Sequence, residues 1–143
     1  MRKKFENKGF SFGIHYTTRP KRNGEVEGED YFYISEDVFK DLISNNKLIE
    51  YTVHNGWYYG LSFEEFEAKD LFIISIKSYL KYSLDIKDKV FKIFLDIKED
   101  VRRTRLSNRN DADTVDRRIE SDNIDISNIN KKEFDLVIKN EDF

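Results

Sequence analysis

Eight arginines in this sequence stand where they could hold an anion: Arg19 and Arg22 beside Pro20, and Arg102, Arg103, Arg105, Arg109, Arg117 and Arg118 further on. A guanidinium presents planar, paired N–H donors that match phosphate oxygens, and it stays charged at any biological pH. The first group lies in Thr17-Thr18-Arg19-Pro20-Lys21-Arg22, followed by Gly24-Glu25 and Asp30-Tyr31. Arginines on a loop, joined by tyrosine hydroxyls from neighbouring strands, would fix a phosphate by position as well as by charge. Basic loop residues are otherwise solvated surface, and the residue types alone leave both readings open. In the second group Arg105 and Arg109 are four apart and share a helix face. Asp100, Asp111, Asp113 and Asp116 share that segment, so spacing alone favours an ion-paired solvent face there.

The elements that must position these groups follow from pattern. Met1 to Phe10 reads as the last turns of a helix, and Ser11 to Glu29 as a polar loop in which Pro20 keeps Arg19 out of helical geometry. Tyr31 to Ile34 is a short strand. Ser35 caps a helix with Val38, Phe39, Leu42 and Ile43 on one face. Leu48 to His54 and Trp57 to Gly60 flank Asn55-Gly56, the pair that a type I′ hairpin turn requires. Ser62 and Glu65 form a capping box that opens a helix through Phe63 and Phe66. Leu71 to Ile76 and Val90 to Ile97 read as buried strands, with a short helix near Lys77 to Ser83 between them. Glu99 to Asn108 and Thr114 to Ser121 are polar helices, and Phe134 to Ile138 a final strand. Strands alternating with helices predict an α/β domain with a mainly parallel sheet.

Composition bounds the function. The 143 residues suit one domain, and 12 Phe with 8 Tyr argue for a packed core rather than disorder. With 25 basic and 28 acidic residues the net charge is −3, which gives no global pull toward nucleic acid or an acidic membrane. The absence of Cys excludes disulfide and thiolate chemistry. Leu71 to Ile74, the longest apolar stretch, is far too short to span a bilayer, and the basic Met1 to Lys4 is not followed by the apolar run of a secretory signal. A cytoplasmic protein is expected, with no metal and no cofactor. The abundance of Lys, Asn, Ile and Phe suits an AT-rich genome such as a phage's.

The run Tyr16 to Tyr31 resembles the "TTRxxRxGExxGxDY" signature of guanylate kinases. "LIEY" at Leu48 to Tyr51, "YYG" at Tyr58 to Gly60, the arginine-rich lid and "DLVIKNED" at Asp135 to Asp142 follow in the family's order. The resemblance covers the chain from about Phe10 to Asp142. It implies a single guanylate-kinase-like domain over 1–143, with a monophosphate-binding β region at about 15–62 inserted in a parallel-sheet core and a helical lid at about 99–121. By that likeness Arg19, Arg22, Tyr31 and Tyr59 hold a nucleotide's phosphate, Glu25 orients the arginines, and Glu50 accepts hydrogen bonds from guanine. Arg105, Arg109 and Arg118 match lid arginines that gather around ATP, and Asn140 matches a residue near adenine.

The departures from the family pattern are specific. The sequence contains no G-x-x-x-x-G-K-[ST], and Met1 falls within what would be the family's first helix, so the sheet core is expected to lack its first strand and its P-loop. His15 replaces a guanine-reading serine, Leu61 a serine or threonine, and Ser75 and Lys77 an acidic pair; these make His15, Ser75 and Lys77 candidate ligand contacts. His54 is read as exposed and incidental, and Trp57 as hairpin packing. The implied function is nucleotide binding without phosphoryl transfer and without catalytic residues. Its ligand would be a two-phosphate or cyclic nucleotide, and its role that of a phage sponge for a host defence signal. The alternatives are a nucleotide-processing enzyme, either a kinase completed by another chain or a hydrolase, and a phosphopeptide-binding module. Loss of a strand from within the sheet predicts a homo-oligomer, a dimer first.

Overall fold

The computed structural model describes residues 5–107 and 114–140, with Asn140 described in its backbone only. The chain divides into two compact units, Met1–Tyr82 and Ser83–Phe143.

The first unit is built on a four-stranded sheet in the order β2-β1-β4-β3, from β1 (Tyr16–Thr17), β2 (Phe32–Tyr33), β3 (Leu48–His54) and β4 (Trp57–Ser62). The β1 strand runs parallel to β2 and antiparallel to β4, and β3 pairs antiparallel with β4. The β3–β4 hairpin turns at Asn55 and Gly56, whose φ of 52° and 79° are the two positive values a type I′ turn demands. A register shift between Leu48 and Glu50 bulges β3, and a bulge re-aims the side chains beside it.

Helix α1 (Glu36–Ser44) starts where the Ser35 hydroxyl accepts from the Val38 N–H at 3.3 Å. Its Phe39 is fully buried against the rings of Tyr58, centroids 5.2 Å apart, and Tyr51, 6.4 Å apart. Burying a ring of that size contributes on the order of 3 kcal/mol. Val38, expected on the same face, is 48% exposed. Gly60 makes this packing possible, because a Cβ there would stand 3.0 Å from both the Glu50 carbonyl oxygen and Phe39 Cζ. Gly60→Ala is therefore expected to destabilise the fold by about 1–3 kcal/mol, read as a lowered Tm.

The Ser62 hydroxyl caps helix α2 (Phe63–Ala68) by accepting from the Glu65 N–H at 3.1 Å. The expected reciprocal half of the box does not form: the Glu65 carboxylate accepts from the Ile14 N–H instead, at 2.8 Å. That bond fixes the chain entering β1, a strand the sequence reading had merged into a loop. Thr17 is 0% exposed, so this short polar-looking stretch is held by burial and ladder bonds rather than by propensity.

Leu71 to Ile76 is the principal correction. Leu71 makes one isolated parallel bridge with Phe12, no ladder follows, and Ile73 is 70% exposed. An apolar run becomes a strand only where a partner offers a row of N–H and C=O groups, and among the described residues this segment meets a single one. Ser75 then caps helix α3 (Ile76–Lys81), accepting from the Ser78 N–H at 3.1 Å.

The second unit carries a two-stranded parallel sheet, β5 (Ile93–Ile97) beside β6 (Leu136–Asn140). The expected parallel character holds for this pair, whereas the four-stranded sheet is mixed. Phe94, 7% exposed, packs on Phe134 at 5.2 Å between centroids. A four-residue helix α4 (Leu84–Lys87), unforeseen in the sequence, buries Ile86. Helix α5 (Glu99–Ser107) faces α6 (Val115–Ser127), which runs past the expected Ser121 to Ser127. Ile119 on α6 is 1% exposed. No helix among the described residues is long and apolar enough to cross a membrane.

Candidate functional site

The Thr17–Tyr33 segment folds back on itself around one guanidinium. Thr17 donates from its hydroxyl to the Tyr58 carbonyl at 2.9 Å and accepts from the Arg19 N–H at 3.2 Å. Thr18 accepts from the Tyr58 N–H at 3.0 Å and donates its own N–H to the Tyr58 carbonyl at 3.1 Å. Paired threonines thus tie the loop to β4 immediately before Tyr59. Arg19 leaves that anchor with only 8% exposure.

Its Nη2 donates to both Glu25 oxygens, at 2.8 and 3.0 Å, and its Nη1 to the Pro20 carbonyl at 2.8 Å. The guanidinium carbon lies 5.5 Å from the Tyr31 ring centroid and 5.8 Å from that of Tyr33. Tyr31 in turn meets Tyr59 edge-on at 6.0 Å. The Glu25 carboxylate also accepts from the Arg22 N–H and the Tyr33 hydroxyl, each at 2.7 Å. Burial alone would raise its pKa, but these donors and the Arg19 charge outweigh it and hold the group at about 2. Burial also opposes the charge on Arg19, and the Glu25 carboxylate more than restores it. Burial and the partly negative Tyr59 oxygen raise the Tyr31 phenol. The result is a fixed cation framed by tyrosines and oriented by a carboxylate that is ionised at neutral pH, an arrangement that can present guanidinium and phenol donors to a phosphate.

Glu50 stands at the β3 bulge with 6% exposure, and neither carboxylate oxygen has a hydrogen-bond partner among the described residues. Burial raises its pKa, while the Ser78 hydroxyl and Lys81 pull the other way. An unpartnered buried acceptor is rare in proteins.

His15 is half-buried, and burial lowers its pKa to about 4 from an ordinary 6.5. The folded state therefore disfavours the imidazolium. Unfolding takes up a proton below pH 6.5, so this contribution to stability is intact above 6.5 and declines as pH falls toward 4. The full loss is about 3 kcal/mol, and urea melts of the protein and of His15→Gln between pH 7 and 4 should diverge by that amount.

The structure brings Arg19, Glu25, Tyr31 and Tyr59 together, with Arg22 contributing its backbone to the same carboxylate. Ser75 is engaged as the α3 cap, and Lys77 is exposed on that helix. In the other unit Arg105 is exposed in the last turn of α5, and the Arg118 Nε lies 3.7 Å from Asp122. Arg109 lies outside the described residues, and Asn140 is the last residue of β6, in register with Ile97. The ion-paired reading of the second arginine group holds for Arg103, which bridges Glu99 at 2.8 Å and Asp116 at 2.5 Å, and for Arg102, whose Nη1 lies 3.8 Å from the Asp122 carboxylate while its Nη2 donates to the Asn123 amide oxygen at 2.6 Å. A groove of about 390 Å³ along this helix pair is lined by Arg103, Asp116, Glu120 and Asn123 and contains none of the candidate residues. Sequence reasoning missed Tyr33, and it placed Thr17 and Thr18 in the Arg19 segment without assigning them the tie to β4. Tyr33 was findable, since it follows Tyr31 by two in a strand and so shares its face.

A family model described as guanylate kinase matches residues 3–143. The chain belongs to the guanylate kinase family. Among curated relatives, the guanylate kinase of Wigglesworthia glossinidia brevipalpis is 36% identical, over 94% of this chain and 68% of its own length. That of Mycoplasma genitalium is 31% identical, over 92% of this chain and 58% of its own length. The crystal structure of guanylate kinase from Anaplasma phagocytophilum superposes with a TM-score of 0.76 at 27% identity, covering 99% of this chain and 71% of that one. The chain thus spans roughly six to seven tenths of the length of these guanylate kinases. The mixed α/β fold is that of the solved relative.

Proposed function

We propose that this member of the guanylate kinase family binds a purine nucleoside monophosphate, with the phosphate held by the Arg19 cluster and the base by Glu50. The observation that carries the reading is Arg19 itself: a buried arginine, doubly bonded to Glu25 and framed by Tyr31 and Tyr33, is more constrained than a surface cation has reason to be. In this reading Arg22 and Tyr59 add donors around the same anion. The relatives being named guanylate kinases makes GMP the first ligand to try.

Calorimetry with GMP, AMP and a cyclic dinucleotide tests the proposal. Micromolar binding of GMP that disappears in Arg19→Ala supports it, and absence of binding to any of the three ends it. The finer reading, that nucleotide is held without transfer as a sequestering protein would hold it, is tested in the same samples by adding ATP and magnesium. Intact GMP recovered after denaturation supports a binder, and GDP formation identifies a kinase.

A further inference from the structure

Tyr82 follows helix α3 and is 7% exposed, yet its hydroxyl has no hydrogen-bond partner among the described residues. Both Glu50 oxygens share that condition. The two residues belong to the same compact unit and to adjoining elements, since α3 packs against β3. Lys81, directly before Tyr82, donates from its ammonium to the carbonyl of Tyr51, directly after Glu50. Burial raises the Tyr82 phenol pKa, and the Glu50 charge raises it further, as a nearby anion does. Ser78, 6% exposed on the same helix, accepts from the Ser75 hydroxyl at 3.1 Å and so keeps its own hydrogen to donate.

A phenol can donate and a carboxylate can only accept, so the pair would satisfy each other if they met. They do not meet. Buried polar groups are hydrogen-bonded as a rule, and a phenol and a carboxylate without protein partners on adjoining elements offer a donor and an acceptor to a third group. That group must offer N–H donors to the carboxylate beside an acceptor for the phenol. A 6-oxopurine has this edge, with its ring N–H next to its carbonyl. Adenine presents the reverse, a ring nitrogen acceptor next to an amino donor, and would set lone pairs against the carboxylate.

Resting on the nucleotide-binding reading, we propose that Tyr82 is a specificity-determining residue which donates to the 6-carbonyl of a purine whose N–H groups are taken by Glu50. Tyr82 occupies the C-cap in extended backbone, φ −65° and ψ 137°, so it stands just beyond the last turn of α3. Composition and periodicity offered no sign of this, because the residue looks like one more core aromatic.

The test compares GMP, IMP and AMP on the wild-type chain, Tyr82→Phe and Arg19→Ala by calorimetry, with a thermal melt of each. The expected result is a preference of the wild type for GMP and IMP over AMP. Tyr82→Phe should weaken GMP and IMP roughly tenfold, leave AMP unchanged, and not lower the Tm, since the lost hydroxyl bonds nothing in the ligand-free fold. If Tyr82→Phe leaves the GMP-to-AMP ratio unchanged while Arg19→Ala still abolishes GMP binding, the Tyr82 role is wrong and the nucleotide reading stands. If Tyr82→Phe lowers the Tm markedly, the hydroxyl has an internal partner and the inference fails. If Arg19→Ala binds GMP as the wild type does, the phosphate reading fails and this inference falls with it.

Discussion

Arg19→Ala should reduce GMP affinity by at least about a hundredfold, because hydrogen bonds to a charged group contribute roughly 1.5–3 kcal/mol each and a guanidinium makes two to a phosphate. The side chain is positioned before any ligand arrives: Glu25, Pro20 and the Tyr31 and Tyr33 rings hold it. Little ordering entropy is then spent on binding. Arg19→Lys keeps the charge and loses the planar fork, so it should fall between wild type and alanine. The substitution also removes the main partner of Glu25, whose carboxylate retains the Arg22 N–H and the Tyr33 hydroxyl. A melt separates the two effects, since the binding loss should persist at temperatures where Arg19→Ala is fully folded. Unchanged GMP affinity in a folded Arg19→Ala protein would show that the phosphate binds elsewhere. The pH dependence has a definite sign. The Glu25 pKa is about 2 in the fold against an ordinary 4.5, so the Arg19–Glu25 pair contributes fully above pH 4.5 and weakens as pH falls toward 2.

Glu50→Gln is expected to move stability and binding in opposite directions. The carboxylate is buried with no hydrogen-bond partner among the described residues, a condition that costs on the order of 1–3 kcal/mol. An amide of the same shape is cheaper to bury and can donate toward Ser78, so the Tm should rise by a few degrees. Because burial raises the folded-state pKa of Glu50, the gain should be larger at pH 7 than near pH 4, where the native carboxyl already carries its proton. Discrimination between GMP and AMP should meanwhile drop about tenfold or more, since an amide loses one acceptor toward the base. A lowered Tm with unchanged discrimination would identify Glu50 as an ordinary core residue.

How much of this was legible beforehand differs by region. The loop around Arg19 was readable because its contacts are local: Arg19, Arg22 and Glu25 lie within seven consecutive residues, and Glu25 reaches back along the chain to bond Arg19. The hairpin at Asn55-Gly56 was readable for the same reason, positive φ being a property of the residues themselves. Leu71 to Ile76 was misread because strand formation is decided by whether another segment supplies a ladder, and Phe12 supplies a single bridge. The β1 strand was overlooked for the converse reason, a two-residue segment made extended by its neighbours.

Sequence by itself determined the family, because an ordered set of short motifs survives without knowledge of what packs on what. Only the tertiary structure decided that Arg19 is buried and doubly held, that Tyr33 completes its frame, and that the Glu50 carboxylate and Tyr82 hydroxyl, on adjoining elements, have no hydrogen-bond partner among the described residues. Burial and hydrogen-bond satisfaction are relations between distant residues, and no local pattern encodes them.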